Sequence, residues 1–475
     1  MTASQNADKQ SNRQQRKELV RRLWSSNPGL ELVHRNAAGI DVGNEDHYVA
    51  IAPTQDEVPV QRFGCFTAEL IRMAVWLKGH GVKTVAMQST GVYWIPLYDI
   101  LEEHGIEVYL VNARDTKNLP GRKTDVQESQ WLLKLHTYGL LRNSFRPTSE
   151  IRVVRAYWRQ RDQHVKTASQ CVQRIQKALT QMNLQLANVI SDVSGKTGLQ
   201  ILRAVVNGER DPGKLAGFRD PRIKASREDI VASLRGNWRS ELLFQVKQEL
   251  AGYDFCQLQI AECDQELEQQ LLSFPESNKE DERSKTTESP QPPKKRKRRK
   301  DGNNPRFDLH HELQRISGVD LTRIDGIDVM TGQTVISEVG LDMSRWPSEH
   351  HFASWLGLCP SNELSGGRIL KKRTRKVVNR AATAFRIAAS TLRTSQSYLG
   401  AKFRRLRSRL GPPKAITAMA RTLAILFYRM IKFGQDYVDR GTEFYEQRQR
   451  DQQLQYLKTK AARLGFQVLP ITDTP

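Results

Sequence analysis

Short apolar segments separated by polar turns dominate the chain between residues 37 and 112. Three of them follow one another closely, and two more alternate with amphipathic stretches whose apolar residues recur at helical spacing. The predicted strands are 37–43, 48–52, 61–66, 84–87 and 108–111, and the predicted helices are one capped by Thr67, one over 94–104 and one over 125–142. A meander of three strands followed by strand–helix–strand alternation predicts a mixed sheet with helices on its faces.

The order of these elements is that of an α/β RNase H-like domain, which we place at residues 31–148. Residues 149–274 have helical periodicity almost throughout, with an apolar stripe formed by Val172, Ile175 and Leu179. The length and the stripe predict a long helical hairpin or coiled coil, which would serve as a spacer or oligomerisation arm.

A second compact domain, mostly α-helical, is predicted over residues 307–450. Residues 321–328 and 331–340 have the pattern of a helix, a glycine-containing hairpin and a second helix. Such a helix-hairpin-helix-like element can hold a nucleic-acid phosphate on its backbone amides, or it can be a purely structural helix–turn–helix. The remaining segments are a basic arm at 1–30, a basic linker at 275–306 and a tail at 451–475.

The charge of the chain points to a polyanionic partner. The formal net charge is +22, from 74 Lys and Arg against 52 Asp and Glu. Residues 364–435 contain eighteen Lys and Arg and neither Asp nor Glu. Nucleic acid fits this imbalance through counterion release from phosphates. A membrane is disfavoured because no apolar run is long enough to span one. The five cysteines lack CxxC spacing, as expected of a protein in a reducing cytoplasm.

Four polar positions share one region of the predicted sheet. Asp41 lies within the first strand, Gln88 ends the fourth, and Asp125 and Glu128 lie on one face of the following helix. Carboxylates grouped at a sheet edge can hold two Mg²⁺ ions for phosphoryl transfer. Taken singly, Asp41 could instead bond a turn, and the two helix residues could simply complement the helix dipole.

Several short motifs make the chain resemble a known family. They are AGIDVG at 38–43, MQSTGVYW at 87–94, VNAR at 111–114, PGRKTD at 120–125, GVDLT at 318–322, SWLGLCP at 354–360 and LSGG at 364–367. In this order, over nearly the whole chain, they resemble the DEDD transposases of the insertion sequence 110 family, and within it the 1111 branch most closely.

The resemblance implies a RuvC-like first domain and a C-terminal transposase domain with a catalytic serine. It assigns Asp41, Gln88, Asp125 and Glu128 to a Mg²⁺ site and Ser365 to the nucleophile. The expected nucleic-acid contacts are Lys123, Arg368, Lys371, Lys372, Arg373, Arg375 and Lys376. The implied activity is a DNA recombinase acting at element ends and target, guided by a structured RNA and assembled as a homo-oligomer, dimer or tetramer.

Two positions depart from the family pattern, and two other functions stay open. Gln88 replaces a glutamate, which removes one negative charge, and Glu128 replaces an aspartate and keeps its charge. A catalytically impaired nucleic-acid-binding protein would keep the basic domain and tolerate Gln88. A junction-resolving nuclease would use the first domain alone and leave the second one unexplained.

Overall fold

A computed structural model describes residues 31–56, 58–89, 91–112, 124–277, 303–366, 368–375, 377–434 and 441–468. The chain divides into two compact units, residues 1–146 and 147–475. The predicted basic arm lies outside the described residues, as does most of the predicted linker. None of the described helices is both long and apolar enough to cross a membrane.

The described residues of unit 1 form a five-stranded mixed sheet covered by three helices. Its elements are β1 (Ala37–Val42), β2 (Asp46–Ile51), β3 (Val60–Gly64), α1 (Thr67–Gly79), β4 (Thr84–Gln88), α2 (Trp94–Glu103), β5 (Glu107–Val111) and α3 (Asp125–Thr137). The strand order is β3-β2-β1-β4-β5, antiparallel from β3 to β1 and parallel from β1 to β5. This topology confirms the predicted RNase H-like α/β domain.

The two faces of the sheet bury different sets of residues because side chains alternate along a strand. Ala38, Ile40 and Val42 of β1 enter one core together with side chains of α1 and α2. The opposite face of the sheet packs against α3, where a second cluster contains Val111 and Leu132. The polar residues of the predicted site therefore lie on the α3 face.

Two details of unit 1 differ from the predictions. Thr67 is the first residue of α1 rather than its cap; Phe66 occupies the cap position, and no side chain caps this helix. Helix α3 ends at Thr137 instead of 142 because Gly139 adopts a left-handed conformation with φ of 66°. The carbonyl of Thr137 then accepts hydrogen bonds from the amides of Val33 and His34.

Unit 2 begins with a pair of long helices joined by a helical insertion. The elements are α4 (Ser149–Gln181), α5 (Leu186–Val189), α6 (Lys196–Val206), α7 (Pro212–Ala216), α8 (Arg227–Ser233) and α9 (Ser240–Leu272). Ion pairs join Arg161 to Asp264 and Arg174 to Glu249, so α4 and α9 run antiparallel. The predicted helical region is present, and its two long helices pair within the chain.

The rest of unit 2 is mostly helical with one hairpin. Its elements are α10 (Leu309–Ser317), α11 (Val329–Val339), α12 (Glu349–Trp355), β6 (Pro360–Ser365), β7 (Arg368–Thr374), α13 (Arg380–Thr391), α14 (Tyr398–Leu410), α15 (Pro412–Phe433) and α16 (Gly441–Arg463). Phe352, Phe385 and Phe427 are fully buried and form an aromatic core between α12, α13 and α15.

The predicted first helix of the helix-hairpin-helix-like element is absent as such. Residues Leu321–Arg323 form only one 3₁₀ turn, opened by Asp320, whose side chain accepts the amide of Thr322. Gly326 then adopts φ of 92°, which ends any helix there. Asp328 caps α11 by accepting the amide of Thr331. The helix that precedes the turn is α10, which lies farther upstream than predicted.

Candidate active site

Asp41 and Gln88 occupy equivalent places on neighbouring parallel strands. Ile40 of β1 is paired with Met87 of β4, so Asp41 and Gln88 are the next residues along the two strands. Ile40 and Met87 enter the core beneath α1 and α2. Because side chains alternate, Asp41 and Gln88 face α3 instead. Gln88 is only 5% exposed.

A glycine in β1 lets α3 approach this face closely. A Cβ atom on Gly39 would lie 2.2 Å from both the carbonyl oxygen of Ser129 and the amide nitrogen of Leu133. Any larger residue would therefore push α3 away from the strand and from Asp41. The sequence motif contains Gly39 two residues before Asp41, but only the packing of α3 reveals why a side chain does not fit there.

The start of α3 delivers the two remaining acids. Thr124 caps the helix, with its side-chain oxygen accepting the amide of Gln127 at 3.3 Å. Asp125 and Glu128 lie in the first turn, where acidic side chains complement the helix dipole. The structure thus brings Asp41, Gln88, Asp125 and Glu128 together on the α3 face of the sheet.

The carboxylates perturb one another. The pKa of Asp41 is raised from 3.8 to about 6, first by burial and then by the negative charges of Glu128 and Asp125. A hydrogen bond from the backbone of Val42 opposes this shift. Burial and like charges both disfavour the ionised carboxyl group. Half-buried Asp41 and Glu128 and exposed Asp125 thus repel one another, and a carboxyl group with a perturbed pKa of this kind is a candidate for a functional site.

Gln88 forms a hydrogen bond with one of these carboxylates. Its side-chain amide nitrogen donates to a carboxylate oxygen of Glu128. A glutamate at this position would have no proton to donate at neutral pH and would add a fourth negative charge. The amide therefore acts as a neutral hydrogen-bond partner for Glu128.

We expect Gln88→Glu to destabilise the metal-free protein by about 1–2 kcal/mol, because it places a carboxylate at a buried position beside half-buried Glu128. Mg²⁺ should restore most of this loss. Thermal unfolding in EDTA and in Mg²⁺ measures both effects. Gln88→Leu is the matched control, since it removes the hydrogen bond without adding charge, and Mg²⁺ should not rescue it. Equal responses of the two variants to Mg²⁺ would contradict the expectation.

The donors present suit Mg²⁺ chemically. Carboxylate and amide oxygens are the ligands that this ion prefers, and Asp41, Asp125 and Glu128 are close enough for two of them to raise the pKa of the third. Among the described residues, however, no group of three or more His, Cys, Asp or Glu side chains is arranged so that it could hold a metal ion. The four residues match a Mg²⁺ site in donor type and mutual electrostatics, but not in the arrangement of their side chains.

A buried histidine, His136, lies at the other end of α3. Its pKa shift has the opposite effect to that of Asp41 on how stability depends on pH. His136 is 1% exposed, and its Nε2 lies 3.0 Å from Oγ1 of Thr84. Its ring stacks on that of His34 at 4.4 Å. Burial, followed by the charge of His34, lowers the pKa of His136 from 6.5 to about 4. The folded state therefore keeps His136 neutral.

The stability of the metal-free chain should change little between pH 6.5 and 4 on account of these two groups. The lowered pKa of His136 gives stability that is lost as pH falls through this window, whereas the raised pKa of Asp41 gives stability that grows as pH falls from about 6. Asp41→Asn removes the contribution of Asp41, so the contribution of His136 should remain alone and the free energy of unfolding should decrease as the pH falls. Calorimetric unfolding in EDTA measures this, and equal pH profiles for variant and wild type would contradict it.

The predicted nucleophile lies in unit 2, at a hairpin. Ser365 is the last residue of β6, is exposed, and pairs with Arg368, the first residue of β7. Gly366 between them has φ of 52°, a conformation that favours glycine. The hairpin therefore presents the serine hydroxyl and an arginine beside each other at the end of a two-stranded sheet.

The predicted nucleic-acid contact residues differ in exposure and in what they contact. Arg368 is exposed beside Ser365, and Arg375 donates to the carbonyl of Ser354 at 2.7 Å, which ties the end of the hairpin to α12. Lys371, Lys372 and Arg373 belong to β7 by their backbone. Lys123 and Lys376 lie outside the described residues.

Comparison with known families agrees with this two-part layout. A family model described as transposase matches residues 38–184, which include all four polar positions of unit 1. A second model, described as transposase IS116/IS110/IS902 family, matches residues 320–403, which include Ser365. No match was found among curated proteins.

Proposed function

This chain belongs to the insertion sequence 110 family of transposases, and we propose that it cuts and rejoins DNA at element ends and target with Mg²⁺ and a serine nucleophile. The observation that carries the proposal is the meeting of Asp41, Asp125 and Glu128 on the α3 face of the sheet. A mutually repelling carboxylate group there suits cation-assisted phosphoryl transfer.

In the proposed reaction the protein residues have distinct tasks. Asp41, Asp125 and Glu128 would hold Mg²⁺, which when bound stabilises charge on the phosphate oxygens. Gln88 would orient Glu128 through their hydrogen bond. Ser365 would attack the phosphorus, forming a phosphoserine ester as the DNA 3′ or 5′ oxygen leaves. A serine needs an activating base or metal, and the carboxylate group of the same chain or of a second copy would supply it.

The finer features of the family complete the proposal. The net charge of +22 and the acid-free segment favour nucleic acid as the partner, and we include a structured guide RNA beside the DNA. Rejoining four strand ends requires more than one serine, so we propose a homo-oligomer, dimer or tetramer. Within a bacterial cell such a protein would be found in the cytoplasm, on the nucleoid.

The test is recombination between a plasmid carrying the DNA that flanks this reading frame and a target plasmid, with and without the flanking transcript. Sequenced junctions that need Mg²⁺ and the transcript would support the full proposal. Junctions formed without the transcript would retain the transposase and reject RNA guidance. Cleavage of four-way DNA junctions by a Ser365→Ala variant, without recombination, would instead support a junction-resolving nuclease.

A second function is favoured by one observation, the amide of Gln88 in the place of a carboxylate. The chain would then bind nucleic acid without cutting it. Gel shifts that persist while strand cleavage stays absent at every Mg²⁺ and Mn²⁺ concentration would support this function over the first.

A further inference from the structure

Three cationic side chains converge where α14, α15 and α16 pack together. Lys402 of α14 is half-buried, and its Nζ donates to Oγ1 of Thr422 on α15 at 3.3 Å. Arg421 of α15 and Arg448 of α16 are close enough to repel its charge. Burial and this repulsion lower the pKa of Lys402. The fold therefore holds like charges together at a cost in stability.

Arg421 has unused hydrogen-bonding capacity in this cluster. Its Nε is buried and, among the described residues, has no hydrogen-bond partner, while one terminal nitrogen lies 3.5 Å from Nδ1 of His350 on α12. Glu349, the acid next to His350, is already paired with Arg429 at 2.6 Å. Among the described residues no carboxylate pairs with Arg421, and the terminal nitrogens of an arginine can bind a phosphate in bidentate fashion.

The surroundings extend the positive surface. Lys402 and Arg421 lie in the segment from 364 to 435 that lacks Asp and Glu, whereas Arg448 lies outside it on α16, two residues after Glu446. Helices α14 and α16 also line a groove of about 340 Å³ whose basic residues are Arg404, Arg405 and Arg450, with Glu446 as its acid. Ala401, the residue before Lys402, also lines this groove, whose arginines would attract the backbone of a nucleic-acid strand.

We propose that Lys402, Arg421 and Arg448 form a seat for one phosphate of a nucleic-acid backbone. The inference rests on the proposed function and names contact residues other than the four polar residues of unit 1 and Ser365. Residues that destabilise a fold by mutual repulsion are typical of functional positions, because a ligand of opposite charge removes the cost. The seat recognises phosphodiester charge and carries no base specificity.

The test compares Lys402→Met with Lys414→Met. Methionine keeps the length of the stem and removes the charge, and Lys414 is an exposed lysine of the same acid-free segment. Binding to a duplex DNA of about 30 base pairs and to a single-stranded RNA of about the same length is measured between about 0.05 and 0.2 M salt. Lys402→Met should weaken binding about tenfold and reduce the salt slope by about one. Lys414→Met should have a clearly smaller effect.

Thermal unfolding distinguishes a phosphate-binding role of Lys402 from a structural role. Lys402→Met should unfold at a higher temperature than wild type, because the repulsion is gone, and inorganic phosphate should raise the unfolding temperature of wild type more than that of the variant. The exposed Arg448→Gln variant should also bind less tightly. Loss with DNA alone assigns the seat to DNA, and loss with RNA alone assigns it to RNA.

Two results would overturn the inference in different ways. Wild-type protein that binds neither probe would remove the proposed function together with the seat. Wild-type binding that Lys402→Met and Arg448→Gln leave unchanged, or a Lys402→Met protein less stable than wild type, would remove the seat alone.

Discussion

Replacing Ser365 by alanine is expected to reduce recombination on the order of 10³-fold or more while leaving the fold unchanged. The side chain is exposed at the end of β6, so its loss opens no cavity. Without the hydroxyl oxygen, no ester to DNA can form, and both cutting and rejoining should fail. Quantitative PCR of recombinant junctions measures the loss, and denaturing gels of DNA treated with protease show whether protein–DNA adducts disappear.

Ser361→Ala is the matched control. Ser361 lies in the same strand, four residues earlier, and is also exposed. This variant should recombine at the wild-type level and bind DNA equally well. If Ser365→Ala recombined as efficiently as Ser361→Ala, the hydroxyl of Ser365 would not be the nucleophile, and strand transfer would have to proceed by water and a DNA hydroxyl at the carboxylates.

Asp41→Asn is expected to reduce Mg²⁺-dependent recombination by about 10³-fold, since loss of a ligand removes several kcal/mol of charge stabilisation in the transition state. The same change should stabilise the metal-free protein by about 1 kcal/mol, after allowing for solvent screening, because burial and two acids raise the pKa of Asp41. Activity and metal-free stability should thus move in opposite directions. Junction PCR and unfolding in EDTA measure them.

The control for Asp41 is Asp46→Asn. Asp46 begins β2, forms an ion pair with Arg62 and is not one of the acids that raise the pKa of Asp41, so its loss should change neither Mg²⁺ dependence nor recombination. A loss of activity in Asp41→Asn accompanied by lower metal-free stability would mark Asp41 as a structural residue. Full activity in this variant would exclude it as a necessary ligand.

The sheet was predictable from sequence because its strands carry strong local signals. Apolar β-branched runs bounded by glycine and polar turns gave all five strands, and the start of α3 at Asp125 followed from its pattern. Helix ends were less predictable because they depend on backbone geometry set elsewhere. Thr67 has the chemistry of a cap, yet the chain leaving β3 puts Phe66 in that position. Propensity alone does not reveal such a shift of one residue.

The candidate site shows a similar division. Asp41 and Gln88 lie side by side because their strands are parallel neighbours. Asp125 and Glu128 share one face of α3 because residues three apart do so in a helix. The hydrogen bond from Gln88 to Glu128 needs the distance between β4 and α3, which Gly39 sets by admitting the helix backbone. The basic seat at Lys402 joins residues from separate helices and has no local signature in the sequence.

The antiparallel pairing of α4 and α9 has a consequence for the reach of unit 2. Each helix has 33 residues and is therefore about 50 Å long. Arg155 and Arg159, near the start of α4, bind α11, and buried Arg161 holds both Asp264 of α9 and the carbonyl of Asn303. The start of α4 and the end of α9 are therefore held together at the same end of the helical pair. Lengthening or shortening the far end by matched numbers of helical turns would alter how far this protrusion extends without disturbing the connections at its root.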